Sequence, residues 1–596
     1  MRIMAGRVIV LGFDALVLPL VKEFIGRGLL PNFEFLMKNG AIAEAMSVLP
    51  PYTPTNWATI ATGALPGRHG AGNWDDSTVL DSMDRIPNST FDARALSADT
   101  LWAAAARQGF SSLLLAYPGS YPTDNPNVTI VAPLYRGLTG YAWAPGQEYE
   151  IEIPRDDSPV ILMNEAERAQ LVVPTEDGHH ATKGGHDQVP LFYVIRKNDR
   201  LWISVEGNLL CELMLGRWSN WCELPKIATD TACVRFRLVQ ELPTSIRVMR
   251  SEIYPKSGFT YPLDYSSVVY RDLGPVFEHP AVFKRSDLQS FEAVQDELKD
   301  QINWYFRIAQ HAALYRPWHL YMHHWHWLDT VQHSYLADFD PDGDSPQDPI
   351  AVTIVSRSYQ IADELLGKFL NLITSEDHLL IVSDHGHVPN RRIASVDRRL
   401  VEAGLAYFDP ERLPAEVIDR RRSRVYTLSP HQLAINLENR NDTGIVKLRD
   451  FSRVVREARD TLLDWTDRDT GDRVVAYALT NDDQNLLGYF GPRRGDVLFL
   501  FNQGYGWGTP NGHSTIGPAD GSANHGSQLP TAKTMRSSNL ATIGAIGPRI
   551  RASYERDSSV EGYLSLLDVA PLIAELLGIT APRDSRGAVP VDFLKY

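Results

Sequence analysis

Cysteine is scarce, with three residues in a chain of 596, and Cys211, Cys222 and Cys233 form no C-x-x-C pair. An odd number at such spacings excludes a disulfide framework and gives no cysteine metal site, so buried free thiols are expected. Long apolar runs are also missing. The segment Val8–Phe13 is broken at once by Asp14, far too short for a signal sequence or a membrane span, and no later stretch reaches the required length. A cytoplasmic protein without a membrane partner is expected. Positive charge is in deficit, 58 Lys and Arg against 73 Asp and Glu, for a formal net charge of −15. Nonspecific nucleic-acid binding needs cations to neutralise phosphates, so no nucleic-acid partner is expected, although a local basic pocket is allowed. Repeats and low-complexity tracts are absent as well.

The length implies a core carrying large insertions, or several domains. Arg7–Phe13 reads as a buried strand of a parallel sheet, followed by helical stretches around Leu18–Arg27 and up to Met37. Asp377–Ser383 is a second buried strand that runs into Asp384, and the helical pattern ending at Leu577 is closed by Gly578. Between about 134 and 280 the texture changes to short β-branched segments such as Leu201–Val205 and Ser245–Met249, which predicts a β-rich insertion. A mixed region from about 388 to 505 holds a helix, Phe451–Trp465, and an apolar strand, Asp496–Phe501. The expected class is α/β, with a central, mostly parallel sheet flanked by helices. The core is assigned to 1–135, 285–390 and 495–596, the β-rich insertion to 136–284 and a smaller α+β insertion to 391–494.

Four clusters carry chemistry. Asp14 ends the first strand, the edge at which open α/β sheets bind ligands; a helix cap is an equal reading. Thr53 follows an extended Pro50-Pro51-Tyr52 entry, ahead of a helix predicted over Asn56–Gly63. A hydroxyl there meets free N–H groups and a positive dipole end, although a plain threonine cap has the same pattern. Asp329 and His333 stand at i, i+4, the spacing with which two ligands reach one ion from a helix. His323, His324 and His326 beside them fit core or supporting roles better. The last cluster is Ser383-Asp384-His385-Gly386-His387 at a strand end, with Asn524-His525-Gly526 far downstream. If the turn there is tight, His387 points elsewhere; contact with a metal is its lesser reading.

Together these clusters resemble the alkaline phosphatase superfamily, and within it the type I phosphodiesterases and nucleotide pyrophosphatases with their bacterial and archaeal relatives. The resemblance covers about 5–135, 285–390 and 495–596, including the closing Leu567–Pro571 and Leu577–Ile579. It implies an alkaline-phosphatase-like fold and two divalent ions. One would be held by Asp14, Asp384, His385 and the Thr53 oxygen, the other by Asp329, His333 and His525. Mixed oxygen–nitrogen shells suit zinc, with manganese or iron as alternatives. The implied activity is hydrolysis of a small phosphoester or nucleotide-type substrate through a phosphothreonine on Thr53. Where the family has a phosphate-binding Asn, this chain has Trp74, with Asn73 one residue earlier; Asn56 is the alternative donor. A sulfatase is excluded, since Thr53-Pro54-Thr55-Asn56 lacks the Cys/Ser-x-Pro-x-Arg context, and the serine-dependent phosphoglycerate mutases are a minor alternative.

Two further readings stay open: a phosphomonoesterase on the same site, and a non-catalytic binding protein on a phosphatase-like core. Completeness of the ligand set argues against the second. Diesters are favoured because Pro51–Gly67 contains no Lys or Arg to meet the extra charge of a monoester. Tyr52 and Trp57 would take the second substituent, unless Arg136, Lys197 or Arg200 supplied a cation. The β-rich insertion is expected to wall or cover the cleft, with Trp202, Trp218 and Trp221 as packing residues.

Overall fold

The computed structural model describes residues 6–82, 85–134, 142, 144–154, 158–162, 173–174, 181–182, 191–224, 231–277, 287–340, 346–519, 521–525 and 537–595. Its centre is a ten-stranded sheet built from β1 (Val8–Phe13), β2 (Ala41–Met46), β3 (Ser112–Leu115), β4 (Val128–Val131) and β5 (Thr260–Tyr261). The others are β6 (Leu320–Trp325), β7 (His378–Val382), β8 (Leu540–Ile546), β9 (Tyr554–Glu555) and β10 (Leu564–Ser565). Across the sheet the order is β5-β4-β3-β6-β1-β7-β8-β2-β9, with β10 beside β2. Only β5 and β8 run against the rest. The central strands β1, β6 and β7 are buried along their whole length, as expected for parallel strands covered on both faces.

Three strand ends come level in this sheet. Gly12 pairs with His324 on one side and Val382 on the other, and Phe13 pairs with Trp325. Asp14, the residue after β1, and Asp384, two residues beyond the end of β7, therefore leave the sheet at the same edge. Gly12 cannot be replaced without cost, because a Cβ there would lie 2.3 Å from the His323 carbonyl oxygen and 2.6 Å from the Trp57 ring. Helices α1 (Thr53–Thr62), α2 (Leu288–Tyr315), α3 (Trp327–Phe339), α4 (Pro349–Leu370) and α5 (Val569–Leu577) share the hydrophobic core with the sheet. No helix among the described residues is long and apolar enough to cross a membrane.

The β-rich insertion leaves the sheet at the carboxyl end of β4. It builds small antiparallel sheets around a separate core that includes Phe192, Ile203, Phe236 and Val248. The chain rejoins the central sheet at β5, earlier than the boundary expected at 284, because Thr260 and Tyr261 pair with Val131 and Ile130. The insertion docks on the N-terminal half of α2. Arg235 lies over the rings of Trp218, Trp221 and Phe277, 4.8 to 5.2 Å from their centroids, and its guanidinium pairs with Glu297 at 3.2 Å and Asp300 at 2.7 Å. Trp218 and Trp221 thus pack, as expected, and the insertion has its anchor on a helix of the core. Arg136 lies outside the described residues, and Arg200 pairs with Glu212 within a hairpin of the insertion.

The second insertion extends further than the boundary expected at 494. Val497–Phe501 belongs to its four-stranded sheet with Val425–Ser429, Gln432–Ile435 and Val475–Thr480, and Tyr505–Trp507 and Ile516–Pro518 flank Arg392–Ala394. The run Val-Leu-Phe-Leu-Phe is as apolar as a core strand, and composition alone does not say which sheet it joins.

The Arg235–Glu297 pair is almost wholly buried, with side-chain exposures of 6% and 3%. Replacing Arg235 by leucine removes one half of this buried pair, and breaking a buried pair costs about 3–5 kcal/mol. A clear fall in the thermal unfolding midpoint is expected by calorimetry, together with loss of the insertion's resistance to proteolysis.

Candidate metal centre and nucleophile

The carboxyl edge of the sheet gathers every predicted ligand. Asp14, Asp384 and His385 are wholly inaccessible to solvent, and their donor atoms lie within 4.8 Å of one another. Each carboxylate is held by one oxygen and bare at the other. Asp384 Oδ1 accepts the Ala15 backbone N–H at 3.2 Å, whereas its Oδ2 makes no hydrogen bond. Asp14 Oδ2 accepts from His324 Nε2 at 2.7 Å, His326 Nδ1 at 2.9 Å and Trp57 Nε1 at 3.5 Å, and its Oδ1 makes none. Asp329 repeats the pattern. Its Oδ2 has His326 Nε2 and His333 Nε2 at 3.3 Å, while Oδ1 makes no hydrogen bond. Three bare, buried carboxylate oxygens call for a cation. The residues present fit divalent metal ions.

The imidazoles are oriented for the same purpose. A backbone carbonyl accepts the Nδ1–H of His333 (Ala523, 2.8 Å), His385 (Gly386, 3.0 Å) and His525 (Pro51, 3.0 Å). Each Nε2 is thereby turned toward the carboxylates, the orientation in which a backbone carbonyl supports a metal-bound histidine. His333 and His525 both approach Asp329, at 3.3 and 3.5 Å. Around Asp329 the donors fall into two groups, one with His333 and His387 and one with His385 and His525. The rings of His385 and His525 stack at 3.6 Å.

Thr53 is the first residue of α1, which starts three residues earlier than predicted because Pro54 sits in the opening turn, where its missing N–H is not needed. Its Oγ1 lies 3.4 Å from His385 Nε2. Burial, reinforced by the neighbouring Asp14 charge, pushes the Asp384 carboxyl up to about 7. Burial also lowers His387 to about 4 and holds His525 well below its ordinary range, so both rings are in the neutral form that binds metal.

Several sequence expectations change here. Asn56 is not a substrate contact: its Oδ1 accepts the Val48 N–H at 2.9 Å and its Nδ2 donates to the Tyr52 carbonyl at 3.2 Å. The whole amide braces the loop that presents Thr53. Asn73 is nearly buried, and its Oδ1 accepts the Trp74 N–H at 2.8 Å. Trp57 is fully buried against His324 and Tyr117, and Tyr52 is buried with its hydroxyl 2.7 Å from His431 Nδ1. Neither ring offers a platform to a substrate. Arg68 pairs with Asp584. His324 and His326 prove to be donors to Asp14, whereas His323, on the other face of β6, turns to Tyr321 and the core. That alternation was the signal available in the sequence. Nothing in the sequence marked His431, which comes from the α+β insertion.

The model of the type I phosphodiesterase / nucleotide pyrophosphatase family matches residues 8–161 and 231–528. The chain belongs to this family. The two matched blocks take in Asp14, Thr53, Asp329, His333, Asp384, His385 and His525. Membership makes the chain a phosphoester hydrolase. No curated protein matches by sequence. Among solved structures, murine ectonucleotide pyrophosphatase / phosphodiesterase 5 is similar at 14% identity and a TM-score of 0.47, over 99% of this chain and 100% of that one. Phosphonoacetate hydrolase from Sinorhizobium meliloti aligns at 14% identity and a TM-score of 0.46, over 96% of this chain and 95% of that one. An alkaline phosphatase variant aligns at 12% and 0.48, over the whole of both chains.

Gly386 separates the two halves of this family member's Asp-His-Gly-His run. A Cβ there would lie 2.0 Å from the Ser537 carbonyl oxygen and 2.7 Å from that of Leu540, both backbone atoms that cannot step aside. Gly386→Ala is expected to displace Asp384 and His385 together. Metal content measured by elemental analysis, and activity with it, should fall at least tenfold in protein that remains folded by circular dichroism.

Proposed function

We propose that this chain is a phosphodiesterase or nucleotide-pyrophosphatase-type hydrolase that uses two divalent ions and Thr53 as its nucleophile. The observation that carries this reading is the convergence of three bare carboxylate oxygens, from Asp14, Asp329 and Asp384, with the Thr53 hydroxyl at a helix N-terminus. Asp14, Asp384 and His385 would hold one ion beside Thr53, and Asp329, His333 and His525 the other; zinc suits these donors best, manganese and iron less well. Such ions supply the positive charge that acidifies a hydroxyl and stabilises a leaving oxygen.

The chain's own residues do the rest. Thr53 Oγ1 attacks phosphorus as its proton passes to water, the bond to the leaving oxygen breaks and that oxygen takes up a proton from water, and a phosphothreonine forms. Water then attacks the same phosphorus, releasing the phosphate product and restoring the hydroxyl. The opening turn of α1 has no side-chain cap, so its free N–H groups face the phosphoryl oxygens with the positive end of the helix dipole. Asn73 is the neutral side-chain donor. Among the described residues, the ionic contacts of the site residues are between Asp and His, which favours a singly charged diester over a doubly charged monoester.

Metal-loaded protein is expected to contain close to two ions per chain and to lose activity on chelation. Thr53→Ala should lower kcat by at least about 1,000-fold with the ions retained, and Thr53→Ser should keep part of the activity. Comparing kcat/KM for bis-p-nitrophenyl phosphate, a p-nitrophenyl nucleotide ester and p-nitrophenyl phosphate tests the substrate class. A preference for the monoester would overturn the diesterase assignment, and activity that survives complete metal removal would overturn the mechanism.

A further inference from the structure

His387 was expected to point away from the cluster, and it does not. The ring is wholly buried, with neither nitrogen hydrogen-bonded among the described residues. A histidine in that state is a poor core residue, because a buried donor or acceptor left unmet costs about 1–3 kcal/mol. Its Nε2 faces Asp329 Oδ1 at 3.5 Å, an oxygen that also makes no hydrogen bond. The ring stands edge-on to His333, centroids 4.5 Å apart, and 5.6 Å from His525. Two buried atoms without a hydrogen bond, His387 Nε2 and Asp329 Oδ1, thus confront each other among the imidazoles.

The distances carry the argument further. Two donors about 2.1 Å from one tetrahedral ion lie about 3.4 Å apart. From the Asp329 oxygens to Nε2 the separations are 3.3 Å for His333, 3.5 Å for His525 and 3.5 Å for His387. His387 is as close to the Asp329 carboxylate as the assigned ligands are, and its donor atom lies within 4.8 Å of that of His333 and of an Asp329 oxygen. The backbone explains how. Gly386 turns the chain under the Ser538 carbonyl, and Val388 and Pro389 then pair with Asn524 and Ala523. That bridge sets His387 beside His525 and beside the carbonyl that orients His333.

Resting on the two-ion reading above, we propose that His387 is a fourth protein ligand of the Asp329 ion. The two sites are then unequal. The site beside Thr53 is rich in oxygen, with two carboxylates, a hydroxyl and one imidazole. The Asp329 site has three imidazoles and one carboxylate, a set that favours zinc, cobalt or nickel over magnesium or manganese. The second ion is therefore held more tightly against a hard-metal competitor than the first.

Cobalt-substituted full-length protein provides the test. In its proton NMR spectrum, paramagnetically shifted and solvent-exchangeable imidazole N–H signals count the bound rings. Four are expected, one each from His333, His385, His387 and His525; three with two cobalt ions bound would overturn the assignment of His387. In folded His387→Leu, chelator competition should show the affinity for the second cobalt falling about 100-fold or more, with the first unchanged. Wild-type affinity for both ions in that variant would also overturn the proposal. If the variant does not fold, the wild-type signal count decides alone. Failure of the wild-type protein to bind a second ion would instead refute the two-ion reading itself.

Discussion

Three carboxylates, those of Asp14, Asp329 and Asp384, are buried close enough to feel one another's charge. An isolated buried charge is prohibitively costly, and like charges at short range add to that cost. The surrounding structure answers this constraint. Each carboxylate has one oxygen occupied by donors from the chain and one left bare. Among the described residues the donors are imidazoles, the Trp57 indole and a backbone N–H instead of lysine or arginine, so the negative charge is shared but not cancelled. A site of this kind is preorganised for cations, and its strain without them is a general property of metal centres that couple binding to folding.

The elements that satisfy this constraint are scattered along the chain, and the parallel sheet is what assembles them. Register between β1, β6 and β7 brings Asp14, the His324–His326 pair and Asp384 to one edge. The short bridge between Val388 and Asn524 brings in His525, and the Pro51 carbonyl that orients His525 belongs to the loop leading into Thr53. Thr53 and the carboxylate–imidazole cluster are thus mechanically linked.

The two insertions play different parts. The β-rich insertion is anchored on α2 through Arg235 and its aromatic neighbours. The α+β insertion instead supports the nucleophile loop: His431 meets the Tyr52 hydroxyl, and Gln432 and Tyr489 both reach the Gly72 carbonyl. The wall nearest Thr53 therefore comes from the second insertion.

Much of this was legible in the residues themselves. Continuous apolar runs ending in Asp14 and Asp384 announced buried parallel strands with acidic tips, and the i, i+4 pair Asp329 and His333 announced a helical metal face, because these patterns depend only on local periodicity. Thr53, with Pro50 and Pro51 ahead of Tyr52 and Pro54 in the next position, announced a helix start. The rest depends on what touches what. Asn56 looked like a substrate donor until the fold spent its amide on Val48 and Tyr52. Trp57 looked like a platform until it was buried under the site. His324 and His326 became partners of Asp14, and His387 turned toward Asp329, only because neighbouring strand ends and a glycine turn brought distant segments together. Local sequence determines which groups exist and which face of an element they occupy; the hydrogen-bond partners that assign those groups a role come from parts of the chain hundreds of residues away, and only the tertiary structure supplies them.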